Sequence, residues 1–339
     1  MKVLVTGGTG FVGSHSVQAL LKAGHEVRIL VRAPQRVARA LDPLGVPPPE
    51  HAVGDVTDVE VVRRALDGCD AVLHAANVFS FDARDVARMQ QDNRRGTEVV
   101  LTAAQELGLD PIVHVSSFVA LLPSDGPLRP DSSLGEPHVP YARSKVETEG
   151  IARDLQRGGA PVVITRPGMV WGPHDPHVGE TAVLARDILR GRVPIRIPGG
   201  VPVVDVRDVA AVHAAVIEAG RGPRSYLAMG EFVPFAGLFE LMRATTGRRL
   251  PAAPAAPARV LLAGGAVANA VQRVLPFRLP MHHEGPWTVI NGRPGDDSVT
   301  TDQLGVTFRP PAEAIRDTVR WLYEAGHISA RQAGRAAGR

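Results

Sequence analysis

A doubly wound α/β fold with a smaller second lobe is what this sequence predicts, on three observations. Short apolar runs alternate with amphipathic stretches through the first 168 residues, the pattern of strands and helices in a parallel sheet. The first run breaks abruptly into a glycine turn that opens a helix. The chain has 339 residues, more than one core usually carries, so a large α/β domain plus a lobe is expected.

Lys2 to Val5 has the continuous apolar character of a strand buried on both faces. Thr6-Gly7-Gly8-Thr9-Gly10-Phe11-Val12-Gly13 follows, and Ser14 to Ala23 carries Val17, Leu20 and Leu21 at helical spacing until Gly24. Val27 to Val31 is a second strand, closed by Arg32. Together these make a βαβ unit. Gly7 permits a tight turn, Gly10 lets backbone approach a pyrophosphate, and Gly13 lets the helix pack close to the sheet. The free N–H groups and partial positive charge at the helix start suit phosphates.

Leu41 to Glu50 contains four prolines and reads as a loop. A third strand ends at Val53, and Asp58 is placed to cap a helix running through Leu66. Ala71 to His74 is a fourth strand, and Asp92 to Leu107 has helical periodicity that Gly108 stops. Ile112 to Val115 is a fifth strand ending in Ser116-Ser117. Leu122 to Pro140 reads as a surface loop, Tyr141 to Arg157 as a helix, and Val162 to Thr165 as a sixth strand before Arg166-Pro167-Gly168.

Beyond Gly168 the rhythm changes. Short strands at Val203–Asp205 and Tyr226–Met229 flank a helix from Val209 to Ala219. We therefore expect a dinucleotide-binding domain from residues 1–168 and 201–230. Residues 169–200 and 231–327 form the expected substrate-binding lobe, and 328–339 a disordered tail. Pro251 to Pro257 is a stiff linker, and Pro311 to Ala325 the last helix.

Composition narrows the function. The single cysteine, Cys69, excludes an internal disulfide and suits a reducing cytoplasm. No secretory signal is expected, since the run Val3 to Val5 is short and leads straight into the glycine turn. The longest apolar stretch, Val260 to Leu275, is interrupted by Gly264, Gly265, Asn269, Gln272 and Arg273, so it reads as a lid or core helix and no membrane span is expected. A net charge of +3 without a basic cluster among aromatics argues against nucleic acid.

The chemistry is carried by Tyr141 and Lys145, four apart and so on one face of their helix. A tyrosine of pKa about 10 is a poor acid–base catalyst at neutrality, and a nearby ammonium is expected to pull it down. Ser116-Ser117 ends the strand that should lie beside this helix, where a hydroxyl can bond a substrate oxygen while Tyr141 moves the proton. His174-Asp175-Pro176-His177 and His282-His283-Glu284 lack a third partner, so no metal is expected.

With these pieces in order the chain resembles the extended short-chain dehydrogenase/reductase family. The resemblance rests on Thr6 to Gly13, Asp55-Val56, His74-Ala75-Ala76, Asn93-x-x-Gly96-Thr97, Ser116-Ser117, Tyr141-x-x-x-Lys145 and Arg166-Pro167-Gly168. It implies a Rossmann fold, with Tyr141 as acid/base and Lys145 on the nicotinamide ribose. Ser117 would orient the substrate oxygen, with Ser116 as the fallback, and Asn93 would support a proton relay. It also implies cofactor contacts from Gly7, Thr9, Gly10, Phe11, Val12, Gly13, Arg32, Asp55, Val56, Ala75, Ala76, Ser116, Tyr141, Lys145, Pro167 and Val170. Subunits of related proteins pair through helices matching Asp92 to Leu107 and Tyr141 to Arg157, which implies a homodimer.

NAD enzymes of this type usually end the second strand with a carboxylate that holds the adenosine ribose. Here Val31 stands there, followed by Arg32, with Arg36 a turn later, and guanidinium favours a 2′-phosphate. The expected cofactor is NADP, with NAD as the alternative. Ser117 is followed by the apolar run Phe118 to Leu122, without the tyrosine that nucleotide-sugar members carry. Phe79, Phe81, Phe118, Met169 and Trp171 are candidate walls of an apolar substrate pocket. The pattern looks most like dihydroflavonol reductases and 3β-hydroxysteroid dehydrogenases. The expected activity is hydride transfer between nicotinamide and a ketone or aldehyde on an apolar small molecule. An NAD-dependent nucleotide-sugar epimerase or dehydratase is the first alternative, and a non-catalytic NADP-binding regulator the second.

Overall fold

The structure is a computed structural model of the chain; it describes residues 1–78, 84–193, 195–250, 254, 257–261 and 284–338. Seven parallel strands form the main sheet in the order β3-β2-β1-β4-β5-β6-β9. They are β1 (Lys2–Thr6), β2 (Glu26–Val31), β3 (Glu50–Val53), β4 (Ala71–His74), β5 (Ile112–Val115), β6 (Val162–Pro167) and β9 (Arg224–Ala228). Val3 pairs with Val27 of β2 on one side and Ala71 of β4 on the other. The strand order reverses across β1, which is where such sheets open a crevice at their C-terminal ends.

The apolar runs are continuous because each strand is buried on both faces, and successive residues serve different cores. Val3, Val5, Ile29, Leu73 and Val113 face a cluster with Val17, Leu20, Val209 and Val212. Leu4, Leu30, Val72, Ile112 and Ile164 face another with Val62, Leu66, Val99, Val100 and Ala152. The first face is therefore covered by α1 (Phe11–Lys22) and α7 (Val206–Ala215), the second by α3 (Val59–Leu66), α4 (Val86–Glu106) and α5 (Pro140–Arg157). Each fully buried Val or Leu contributes about 1.5–3 kcal/mol of transfer free energy. Asp58 caps α3 as expected, its carboxylate accepting from the N–H groups of Glu60 and Val61. Helix α4 starts six residues earlier than its apolar periodicity suggested, and a short α2 (Arg36–Leu41) precedes the proline loop.

The second lobe has its own three-stranded sheet, β10-β8-β7, built from β7 (Met169–Trp171), β8 (Gly200–Asp205) and β10 (Glu231–Pro234). Its core joins Trp171, Val201 and Val203 to Ile188, Leu238, Met242, Ile315, Val319 and Leu322. These come from α6 (Glu180–Leu189), α8 (Phe235–Thr246) and α11 (Pro311–Glu324). Two domain expectations need correction. Residues 201–205 do not join the main sheet: β8 pairs with β7 and β10, and only its Val204 reaches the main core. The expected disordered tail is helical. Ser329 and Gln332 form a capping box on α12 (Ala330–Ala333), and Ala333 and Ala336 are buried in the lobe core. Small alanines let this last turn dock closely, where composition alone suggested fraying. Two further helices, α9 (Glu284–Asn291) and α10 (Ser298–Leu304), lie between α8 and α11 in sequence.

Candidate active site

The glycine turn forms as predicted, starting with Gly7 in the left-handed region at φ 75°. A Cβ there would meet the backbone of Ala75 and Ala76 at 2.6–2.7 Å, so glycine brings the end of β4 against the turn. Gly13 refines the expectation: its missing Cβ makes room for the Gly7 carbonyl, so it tightens the turn itself as well as the helix approach. Gly10 is the extended N-cap of α1, and its N–H donates to the Gly7 carbonyl at 2.9 Å. The first intrahelical bond runs from Ser14 N–H to Gly10 C=O, and neither a side-chain cap nor an acidic residue stands in the first turn. The N–H groups of Phe11, Val12 and Gly13 therefore head a positive helix end with no competing anion of its own, which fits a pyrophosphate.

A cavity of about 220 Å³ opens over this turn. Gly7, Thr9 and Gly10 line one end, Ala75 and Ala76 the wall, and Val31, Arg32, Arg36, Asp55 and Val56 the other end. Phe11, Val12, Gly13, Ser116, Tyr141, Lys145, Pro167 and Val170 are not among the lining residues. Sequence reasoning missed Thr57, Asn77, Val78 and His177, which also line it. The His174–His177 run was the available signal for the last, weighed in the sequence only as a metal site. His174 and Val178 both adopt left-handed φ, 61° and 51°, while the Asp175 carboxylate accepts from the N–H groups of His177 and Gly179. Glycine at 96 lets α4 approach the Val56 side chain, which a Cβ would meet at 2.8 Å.

At the ribose end, Asp55 spends one carboxylate oxygen on the N–H and hydroxyl of Thr57, at 3.0 and 2.9 Å. Its other oxygen stands 3.8 Å from the Arg32 guanidinium, with both side chains well exposed. Val31 is buried and offers no acceptor. Two guanidinium groups, Arg32 and Arg36, thus stand at this end beside the Asp55 carboxylate.

Tyr141 and Lys145 share one face of α5, with the Lys145 Nζ 6.0 Å from the centre of the Tyr141 ring. Helix α5 packs on the short 3-10 turn Phe118–Leu121, which Ser117 introduces in extended conformation. The two serines differ. Ser116 is buried and donates its hydroxyl to Glu149 at 2.6 Å, whereas Ser117 only accepts a long 3.4 Å bond from Val119 N–H. Glu149 is in turn held by Arg166 and Arg153. Burial alone would raise its carboxyl, but the charge and hydrogen bonds of Arg166, with help from Ser116 and Arg153, hold it below the usual range. Asn93 acts in this structure as a clamp. Its amide pairs with both backbone groups of Val78, at 2.7 and 2.9 Å, and donates to Ser144 at 3.1 Å.

The electrostatics overturn one expectation. The Tyr141 phenol is pushed up, not down, by burial and by the charge of Glu284. The Lys145 Nζ donates to the Val115 carbonyl, 3.4 Å away. Burial lowers the Lys145 ammonium to about 8, against the opposing charge of Glu149.

The proposed substrate walls fare unevenly. Phe118 and Trp171 are core side chains, 4% and 0% exposed, packed in separate hydrophobic clusters. Their position next to site motifs said nothing about which way they turn. Met169 is partly buried against the lobe core. Phe79, Phe81, His282, His283 and most of Val260–Leu275 lie outside the described residues. Among the described residues no helix is long and apolar enough to cross a membrane.

The NAD dependent epimerase/dehydratase family profile matches residues 3–228. A protein of Methylococcus capsulatus named sterol demethylase protein B is 30% identical, over 97% of this chain and 100% of its own. A putative dihydroflavonol 4-reductase of Synechocystis is 30% identical over 96% and 95%. The solved structure of gox2253 superposes with a TM-score of 0.80 at 27% identity, covering 96% of this chain and 99% of that one. The glycine turn, the parallel sheet and these likenesses agree, and the chain belongs to the NAD dependent epimerase/dehydratase family, as an NAD(P)-dependent enzyme of the extended short-chain dehydrogenase/reductase type.

Proposed function

We propose that the chain is an NADP-dependent reductase of ketones or aldehydes on apolar small molecules. The observation that carries the reading is the pairing of Tyr141 and Lys145 on α5, beside the strand end that presents Ser117. Arg32 and Arg36 beside a buried Val31 support NADP over NAD. The names of the two relatives point to sterol and flavonol skeletons, both apolar.

A bound nicotinamide supplies the hydride. Ser117, whose hydroxyl has only one long bond, donates to the substrate carbonyl oxygen and polarises it. Tyr141 gives its phenolic proton to that oxygen as the hydride arrives. Lys145, near 8, is poised to share protons with the ribose side of the site. Ser116 holds the strand end through Glu149 and is not free to polarise substrate.

Tyr141→Phe tests the reading. Turnover with NADPH should fall about 10²–10⁴-fold while NADPH binding, followed by fluorescence, stays near the parent value. The assay is a screen of NADPH oxidation over steroids, flavonoids, aldehydes and nucleotide sugars. Interconversion of nucleotide sugars with tightly bound NAD and no net redox would instead make the chain an epimerase. We place the enzyme in the cytoplasm as a homodimer joined through the outer faces of α4 and α5. Light scattering tests the dimer.

A further inference from the structure

Glu284 has no part in the reading above, yet it joins the second lobe to the catalytic helix. Helix α5 begins without a cap of its own: Val139 makes no side-chain bond and Pro140, at the first position, has no N–H. The backbone N–H of Tyr141 donates instead to Glu284 Oε1 at 2.9 Å, across 143 residues of chain. Glu284 is 6% exposed and opens α9, whose Trp287 is buried in one cluster with Val139 and Ala142, against which Tyr141 packs. The His138 ring meets Trp287 edge-on at 5.9 Å.

We propose that Glu284 is a positioning residue whose carboxylate caps the catalytic helix at Tyr141 and fixes the phenol from the second lobe. The proposal rests on Tyr141 being the acid/base. A carboxylate is the acceptor that a helix N-terminus favours most, and the bond falls on the residue whose side chain reacts. Burial raises the phenol first and the Glu284 charge adds to it, so Glu284 both seats Tyr141 and shifts its titration further up. Among the described residues, the titratable groups around it are Tyr141 of α5, His138 just before that helix and Glu180 at the start of α6. Burial raises Glu284 to about 7, with the Tyr141 N–H opposing and Glu180 reinforcing. Below neutrality the carboxyl takes up a proton and the charge-assisted bond weakens. Above it, the seat is firm.

The test compares Glu284→Gln and Glu284→Ala with the parent and with Tyr141→Phe, as pH profiles of kcat and of KM for NADPH. Gln keeps a neutral acceptor of the same shape, so kcat at neutral pH should stay within about threefold of the parent. The acid limb near neutrality should flatten, and the alkaline limb should move to lower pH. Ala removes the acceptor, and kcat should fall about tenfold with KM for NADPH unchanged. A Gln variant that keeps the parent's acid limb overturns the proposal, whether or not the Ala variant folds. If that happens while Tyr141→Phe is inactive, only the role of Glu284 is lost. Full activity in Tyr141→Phe removes both assignments.

Discussion

At the end of β6, Arg166 meets Glu149 with both side chains out of water, through contacts of 2.8 to 3.1 Å. At the end of β2, Arg32 stands 3.8 Å from Asp55 with the two side chains 63% and 43% exposed. Both pairs join a guanidinium to a carboxylate at the C-terminal end of a strand of the main sheet. The first is part of a buried network: Arg166 also reaches the Pro130 carbonyl, and Glu149 also takes Arg153 and Ser116. The second has no such closure, and screening by water leaves it worth little. A buried charge held by several partners serves as scaffold, whereas a loosely paired charge at the surface can change partners for a ligand.

Removing one partner from each pair should separate them most sharply. Glu149→Ala leaves Arg166 buried without its anion and Ser116 without its acceptor, so about 3–5 kcal/mol of stability should be lost in a denaturant titration. A loss below about 1 kcal/mol would mean that the network relaxes into water and the contrast is false.

Acid probes the same contrast at smaller amplitude. His74 and His213 are fully buried with pKa lowered to about 3, and His15 to about 4, in each case first by burial. Their folded values lie below the unfolded one, so the unfolded chain takes protons first and stability falls as pH drops below about 6.5, by up to about 1.4 kcal/mol per pH unit for each histidine. Glu149 is also lowered, so its contribution is complete above the ordinary carboxylate value and disappears only as pH falls through its own lower one. Thermal melts should therefore weaken in two stages, and Glu149→Gln should blunt the lower stage alone. A single transition at carboxylate pH would show that the histidines carry no such penalty.

Arg32→Ala should give the smallest stability change, within about 0.5 kcal/mol. It should nevertheless weaken NADPH binding about tenfold and leave NADH binding nearly unchanged, because only the extra phosphate needs the guanidinium. Equal effects on both cofactors would remove the basis for an NADP preference.

Legibility followed the range of the interactions. The β1–α1–β2 unit could be read because glycine turns, caps and apolar runs act within a few residues, and Asp58 capped α3 for the same reason. Val201 to Asp205 was assigned to the dinucleotide-binding domain and pairs instead in the lobe sheet, since an apolar strand carries no mark of which neighbour it will pair with. Phe118 and Trp171 turned into cores because aromatic burial depends on what lies opposite. The Tyr141–Lys145 spacing placed both side chains on one face, but the sign of the phenol shift needed the burial of the ring and the position of Glu284.

The sequence by itself determined the strand–turn–helix order, the dinucleotide crevice, the cationic end at Arg32 and the candidate pair Tyr141 and Lys145, all through local geometry and residue chemistry. Only the tertiary structure decided that Ser116 is tied and Ser117 lightly held, that β8 belongs to the lobe, and that Glu284 accepts from the first free N–H of α5. Those outcomes depend on groups far apart in the chain meeting in a low-dielectric interior, where burial and the nearest charge set the energy of every polar atom.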